Sequence, residues 1–186
     1  MDTRKTRTWA EISLGALRHN VSEMQRALPD GCGLLGVVKA DAYGHGAAEI
    51  AAALRECGCR YLAVACPQEA LALRQAGETA PILILGAVDA SFASEMAANG
   101  ITLSVECEEK GRALSAALRP GERLKIHLKL DTGMGRLGFR AQDEAALRAA
   151  AAVAQLPNLD AEGVFTHFSV SDTPGEEDYT AAQLAL

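Results

Sequence analysis

Aromatic residues are scarce, at 4% of 186 positions, so the fold cannot lean on large stacked rings and its helices must pack closely on something flat or curved. No apolar run reaches membrane length, which excludes a spanning helix from the sequence pattern. Beyond the short opening Arg4-Lys5-Thr6-Arg7 there is no basic cluster, and the formal net charge is −6. A phosphate-tracking nucleic-acid binder is thereby excluded. That opening runs into Thr8-Trp9-Ala10-Glu11-Ile12 rather than an apolar stretch, so it makes a poor secretory signal and a cytoplasmic protein is expected. Cysteine is odd in number: Cys32, Cys57, Cys59, Cys66 and Cys107. The pair Cys57-Gly58-Cys59 lacks the two-residue spacer of redox and zinc motifs, so reduced thiols and no metal are expected.

What remains is an ordinary soluble composition, 49% hydrophobic and 23% charged, with alanine runs at 51–53 and 149–152 that make slim helices. Leu14, Leu17, Val21, Met24 and Leu28 recur at helical spacing after Ser13, a plausible N-cap, and Pro29-Asp30-Gly31 stops the run. Short apolar runs then alternate with helical stretches. Strands are expected at 34–38, 61–65, 81–85, 101–105, 125–130 and 161–166. Helices are expected at 47–55, 67–76, 90–98, 108–118 and 143–156, with a last one running from about 176 to the final residue. Six successive βα units with short links imply one domain built on a parallel sheet. Spacing alone leaves two architectures open: a doubly wound sheet, or a (β/α)8 barrel short of two units.

Both architectures bind ligands at the carboxyl ends of their strands. The first strand ends in Val37-Val38-Lys39-Ala40-Asp41-Ala42-Tyr43-Gly44-His45-Gly46, which puts a lysine at that face ahead of a glycine-containing turn. A lysine there can be held partly desolvated, as a neutral amine able to add to an aldehyde. Position alone also allows a lysine that merely emerges into solvent.

The string from Val37 to Gly46, with Trp9-Ala10-Glu11-Ile12 upstream and Lys129-Leu130-Asp131-Thr132-Gly133-Met134-Gly135-Arg136-Leu137-Gly138 downstream, resembles the alanine racemase family, which depends on pyridoxal 5′-phosphate (PLP). The resemblance runs through essentially the whole chain. It implies an α/β fold, a (β/α)8 TIM-type barrel that is incomplete here at about six βα units, with the family's carboxyl-terminal β domain absent and residues 1–186 forming the amino-terminal part of the barrel.

By resemblance, Lys39 carries PLP and acts as one of two bases. Tyr43 reaches the cofactor phosphate, Arg136 serves the cofactor and the substrate carboxylate, and His167 lies against the cofactor ring. Lys129 matches a lysine often carbamylated in the family, where the resulting anion orients Arg136. The activity implied is interconversion of L- and D-alanine, supplying D-alanine for peptidoglycan, by a homodimer of the full-length protein, with the isolated fragment inactive. The rival expectation is a single-domain PLP-binding barrel protein of cofactor homeostasis, which would carry the same strand-end lysine. His45 is expected to serve the turn or packing and His127 to point away from the site or into packing, while Tyr61 and Tyr179 have no matched role.

Overall fold

The structure, a computed structural model, describes residues 8–186, so the basic opening at 4–7 lies outside the described residues. Helix α1 (Leu14–Ala27) comes before the sheet, with the Ser13 hydroxyl accepting the Ala16 amide as its cap. It lies against the third helix through Arg18–Glu56 (2.9 Å) and through Gln25, whose amide donates to the Cys57 carbonyl (2.7 Å). The sheet then builds in chain order. Strand β1 (Leu35–Val37) leads through a left-handed turn, α2 (Lys39–Gly44), to α3 (Ala47–Glu56). Strand β2 (Tyr61–Val64) is followed by α4 (Pro67–Gln75), with proline at the helix start where its missing N–H costs nothing.

After β3 (Ile82–Ile84), the expected helix over 90–98 divides into a 3-10 turn at Ala90–Phe92 and α5 (Ala93–Ala98). Asp89 caps the 3-10 turn by accepting the Ser91 amide. Strand β4 (Ile101–Val105), α6 (Glu108–Ala117) and β5 (Leu124–Asp131) continue the alternation. The glycine-rich stretch after β5 contains a two-residue strand, β6 (Phe139–Arg140), invisible to a search for apolar runs. Helix α7 (Glu144–Ala154), capped by Asp143, leads to β7 (Leu159–Phe165), the sixth strand of the sequence pattern. Helix α8 (Glu177–Leu184) ends two residues before the position expected from the sequence.

All pairings are parallel, and the main sheet runs β1-β2-β3-β4-β5 with β7 next to β5. Strictly sequential order has no reversal point of the kind that defines a doubly wound sheet, and this decides for the barrel. Curvature is visible in one contact. Tyr61 on β2 and Glu162 on β7 are not on neighbouring strands, yet the tyrosine hydroxyl lies 2.6 Å from the carboxylate. Only a sheet rolled into an arc allows that. The arc is an incomplete barrel in which β1 and β7 each keep one unpaired edge among the described residues.

Alternation sorts the strand residues. Leu62, Val64, Ile82, Ile84, Ile101, Leu103, Leu124 and Ile126 face the helices and form one buried core with Met96, Leu114 and Val153. The inner face is different. Tyr61, Thr102, Lys125, His127 and Glu162 meet there. Thr102 donates to the Glu162 carboxylate (2.8 Å), Lys125 pairs with it (2.7 Å), and His127 Nε2 lies 3.7 Å away. Burial works against the Glu162 charge, but hydrogen bonds from Lys125, Tyr61 and Thr102 prevail and hold its carboxyl below the ordinary range. Burial, reinforced by that carboxylate, pushes the Tyr61 hydroxyl well up. Room for His127 comes from Gly163, where an added Cβ would lie 2.7 Å from the imidazole. His127 therefore packs inside the arc, as expected, between the Tyr61 and Phe165 rings. The five cysteines are free, and no helix among the described residues is long and apolar enough to cross a membrane.

Open strand edges recruit other strands. The 186-residue polypeptide expressed alone should elute from size exclusion mainly as oligomers and aggregate; a predominantly monomeric profile at micromolar concentration would show that these edges are protected.

Candidate active site

The carboxyl ends of β1, β5 and β7 carry the residues singled out from the sequence. Lys39 is half-buried at the end of β1, its Nζ 5.9 Å from the centre of the Tyr43 ring. Between them the backbone is left-handed at Ala40, Asp41, Ala42 and Tyr43, with φ of 52, 54, 50 and 54°. L residues avoid this region because Cβ crowds the following carbonyl, at about 1–2 kcal/mol per residue. Four in succession persist only where the surroundings over-determine them. The turn leaves the Tyr43 side chain 67% exposed, with its hydroxyl free to meet a ligand. His45 supports the same turn, its Nδ1 lying 2.8 Å from the Ala42 carbonyl, in keeping with the turn role expected for it.

Arg136 stands in the loop after β5. Asp131, the last residue of that strand, accepts the Gly133 amide (3.0 Å) and the Gly135 amide (3.0 and 3.1 Å). These backbone donors, that of Gly135 foremost, hold the Asp131 carboxyl below its usual range although burial opposes the charge. The loop closes where β6 pairs with Leu130 and Asp131. Gly138 makes that closure possible. Its φ is +124°, and a Cβ there would lie 2.8 Å from the Asp131 nitrogen and the Lys129 carbonyl oxygen.

Lys129 is buried on β5. Its ammonium donates to the Leu130 carbonyl (2.6 Å) and lies 5.5 Å from the centre of the Phe165 ring. Burial lowers its pKa, Asp131 opposes that shift, and the Arg136 charge adds to it. His167 follows β7. Burial first, and then the charges of Arg136, Lys129 and Lys39, hold its imidazole below the usual histidine value. The charges of Arg136, Lys129 and Lys39 thus all bear on the His167 imidazole, and Tyr43 lies beside Lys39.

Sequence reasoning missed the residues that hold this site together. Gln183, 2% exposed on α8, uses all its hydrogen-bonding capacity. Its Oε1 accepts the amide and hydroxyl of Ser169 (3.0 Å each), and its Nε2 donates to Thr132 (3.2 Å) and to the His167 carbonyl (3.3 Å). Thr132 and Thr166 join the two loops directly (2.8 Å), and the Tyr179 hydroxyl donates to the Gly133 carbonyl (2.8 Å). No spacing rule marks Gln183 or Tyr179, whose links to the loop after β5 span 51 and 46 residues. The Asp131-Thr132-Gly133 sequence does carry a local signal, since aspartate before glycine commonly accepts the amide two residues on.

The sequence pattern of the alanine racemase N-terminal domain matches residues 12–186. The chain belongs to the alanine racemase family. It is 45% identical to an alanine racemase of Desulfosudis oleivorans, with 89% of this chain and 44% of that protein covered. It superposes on the alanine racemase of Clostridium difficile 630 in complex with cycloserine with a TM-score of 0.91 at 38% identity, covering 97% of this chain and 50% of that one. A histidine racemase from Leuconostoc mesenteroides also shares the fold, with a TM-score of 0.82 at 31% identity over 94% of this chain and 46% of that one. The chain spans about half the length of the curated relatives it matches.

Two outcomes follow from this geometry. In an NMR titration His167 should protonate below the ordinary histidine range, and Arg136→Ala should move its midpoint upward by removing one opposing charge; an unmoved midpoint would separate the two residues. Asp131→Ala should free the Gly133 and Gly135 amides and displace Arg136, lowering kcat/KM of the full-length protein by about a hundredfold with retained secondary structure by circular dichroism.

Proposed function

We propose that residues 1–186 supply the amino-terminal part of the barrel of a PLP-dependent enzyme that interconverts L- and D-alanine. The observation that carries this reading is the half-buried Lys39 at the carboxyl end of β1, with the exposed Tyr43 beside it on a braced left-handed turn. A cationic, partly buried mouth at strand ends suits a ligand bearing a phosphate and a substrate bearing a carboxylate. The donor set fits PLP: a half-buried amine for the aldehyde, an exposed phenol hydroxyl for a phosphate oxygen, and a guanidinium for a carboxylate or phenolic oxygen.

When bound, PLP supplies the conjugated ring over which the charge left by loss of the Cα proton is spread. Lys39 is assigned both roles its position allows, holding the cofactor and moving the Cα proton on one face. Tyr43 would donate to the phosphate. Arg136 orients the substrate carboxylate, with its loop fixed by Asp131. His167, held below the usual histidine value by burial and by the charges of Arg136 and Lys39, would add no further positive charge beside the cofactor ring. Lys129 is assigned to carbamylation. The neutral amine is the form that adds carbon dioxide, and burial favours that form here. The resulting anion beside Arg136 would support the guanidinium. Racemisation also requires a base on the opposite face of Cα, which we assign to the second subunit of a homodimer. Supply of D-alanine for peptidoglycan in the cytoplasm is the physiological role that accords with this chemistry. Because one structural neighbour is a histidine racemase, preference for alanine is to be measured against serine and histidine.

In the full-length protein, borohydride reduction with PLP should label the Lys39 peptide alone, and Lys39→Ala should abolish the label and lower racemisation by about a thousandfold or more. Undiminished turnover in that variant would sink the assignment. With carbon-13 bicarbonate, a carbamate carbonyl signal should appear and vanish in Lys129→Ala; its presence in both would place the carbamate elsewhere.

A further inference from the structure

The left-handed turn at Lys39 is secured at its far end by its own residues. The Gly46 amide donates to the Asp41 carbonyl (3.0 Å), and the Asp41 carboxylate accepts the Ala47 amide (2.7 Å) at the start of α3. Its near end is held differently. The Ala42 amide reaches back to the Val38 carbonyl (3.0 Å), but Ala40, at the head of the turn, has no carbonyl within the turn to accept its N–H. That amide donates to Glu69 Oε1 (2.8 Å), 29 residues away on α4. The other oxygen, Oε2, accepts the Ala65 amide (2.7 Å) just past the end of β2.

We infer that Glu69 is a positioning residue for Lys39. Its carboxylate ties the peptide leaving Lys39 to the end of β2 and so fixes the direction in which the amine projects. A glutamate at the third position of a helix commonly reaches back to an amide just before that helix, and Oε2 does so at Ala65. Oε1 reaches into a different βα unit and serves no amide of its own helix. The tie spans a short, braced gap, because β1 and β2 already lie side by side there through the Val38 amide and the Ala63 carbonyl (2.8 Å). The helix bearing Glu69 is anchored by buried Pro67, Ala70 and Leu73. The Lys39–Ala40 peptide plane is thus referred to the rigid part of the sheet. The backbone entering a left-handed turn has little intrinsic preference for the observed direction, so without the tie the amine would sample several.

The functional consequence rests on the proposed role of Lys39, whereas the tie itself is tested without PLP. Three forms of the full-length protein are compared at a temperature where all are folded: the parent, Glu69→Ala, and Leu71→Ala, which removes half-buried apolar contact on the same helix and leaves the carboxylate in place. Single-residue hydrogen exchange should be about tenfold or more faster at the Ala40 amide in Glu69→Ala than in Leu71→Ala, with core amides alike in the two. Racemisation kcat should fall by about tenfold or more in Glu69→Ala with KM for alanine changed far less, while Leu71→Ala, with an equal or greater loss of Tm, keeps a near-parental kcat. Unchanged exchange at Ala40 in Glu69→Ala overturns the tie. Faster exchange with kcat equal to that of Leu71→Ala overturns the positioning role. A parent that turns over no alanine defeats the proposed function alone, and Ala40 exchange then decides the tie.

Discussion

Four strands meet at one carboxylate. Glu162 on β7 takes hydrogen bonds from Tyr61 on β2, Thr102 on β4 and Lys125 on β5, on the inner face of an all-parallel sheet. A barrel interior is normally filled by branched aliphatics, which need only volume. A polar interior needs every donor and acceptor matched, because an unmatched one costs about 1–3 kcal/mol when buried. Here the matching is geometric: Tyr61 can reach Glu162 only if the sheet is rolled. The same roll brings the carboxyl ends of β1, β5 and β7 around a common mouth.

At that mouth Lys39, Arg136 and His167 stand on segments that follow strand ends, and those segments are stiffened from behind. Asp131 folds the Gly133–Gly135 segment on which Arg136 stands, and Gly138 lets it close against β5. Gln183 fastens that loop to the segment carrying His167, and Glu69 fastens the turn carrying Lys39 to β2. Gln183 and Glu69 lie on the helices that follow β7 and β2, whereas Asp131 and Gly138 belong to β5 and its own loop. The turn carrying Lys39 and the loop carrying Arg136 are thereby each tied to a part of the chain distant in sequence, as pre-organisation demands when small displacements of a reacting group are costly.

Much of the secondary structure is legible in the sequence because its signals are local. The spacing of Leu14, Leu17 and Val21 after Ser13, the proline at 67 and the apolar runs at 81–85 and 101–105 place α1, α4, β3 and β4. The parts that escape are governed by something other than a local pattern. Phe139–Arg140 forms a strand only because β5 offers an edge beside it. The helix over 90–98 splits because Asp89 captures the Ser91 amide into a tight turn first. Nothing in Ala40–Tyr43 announces a left-handed backbone, since none of the four is glycine.

The family, the alternation of strand and helix, and Lys39, Tyr43, Lys129, Arg136 and His167 as candidate site residues could be read from the one-dimensional string, the family and the candidates through motif resemblance and the alternation through near-neighbour spacing. Whether the strands lie flat or rolled could not be read there, nor could the convergence of three cations on one imidazole, the polar filling of the interior, or the carboxylate and amide clamps of Glu69 and Gln183. The ties from Tyr61 to Glu162, from Glu69 to Ala40 and from Gln183 to Thr132 join residues separated by 101, 29 and 51 positions, and such proximity exists only once the sheet has rolled.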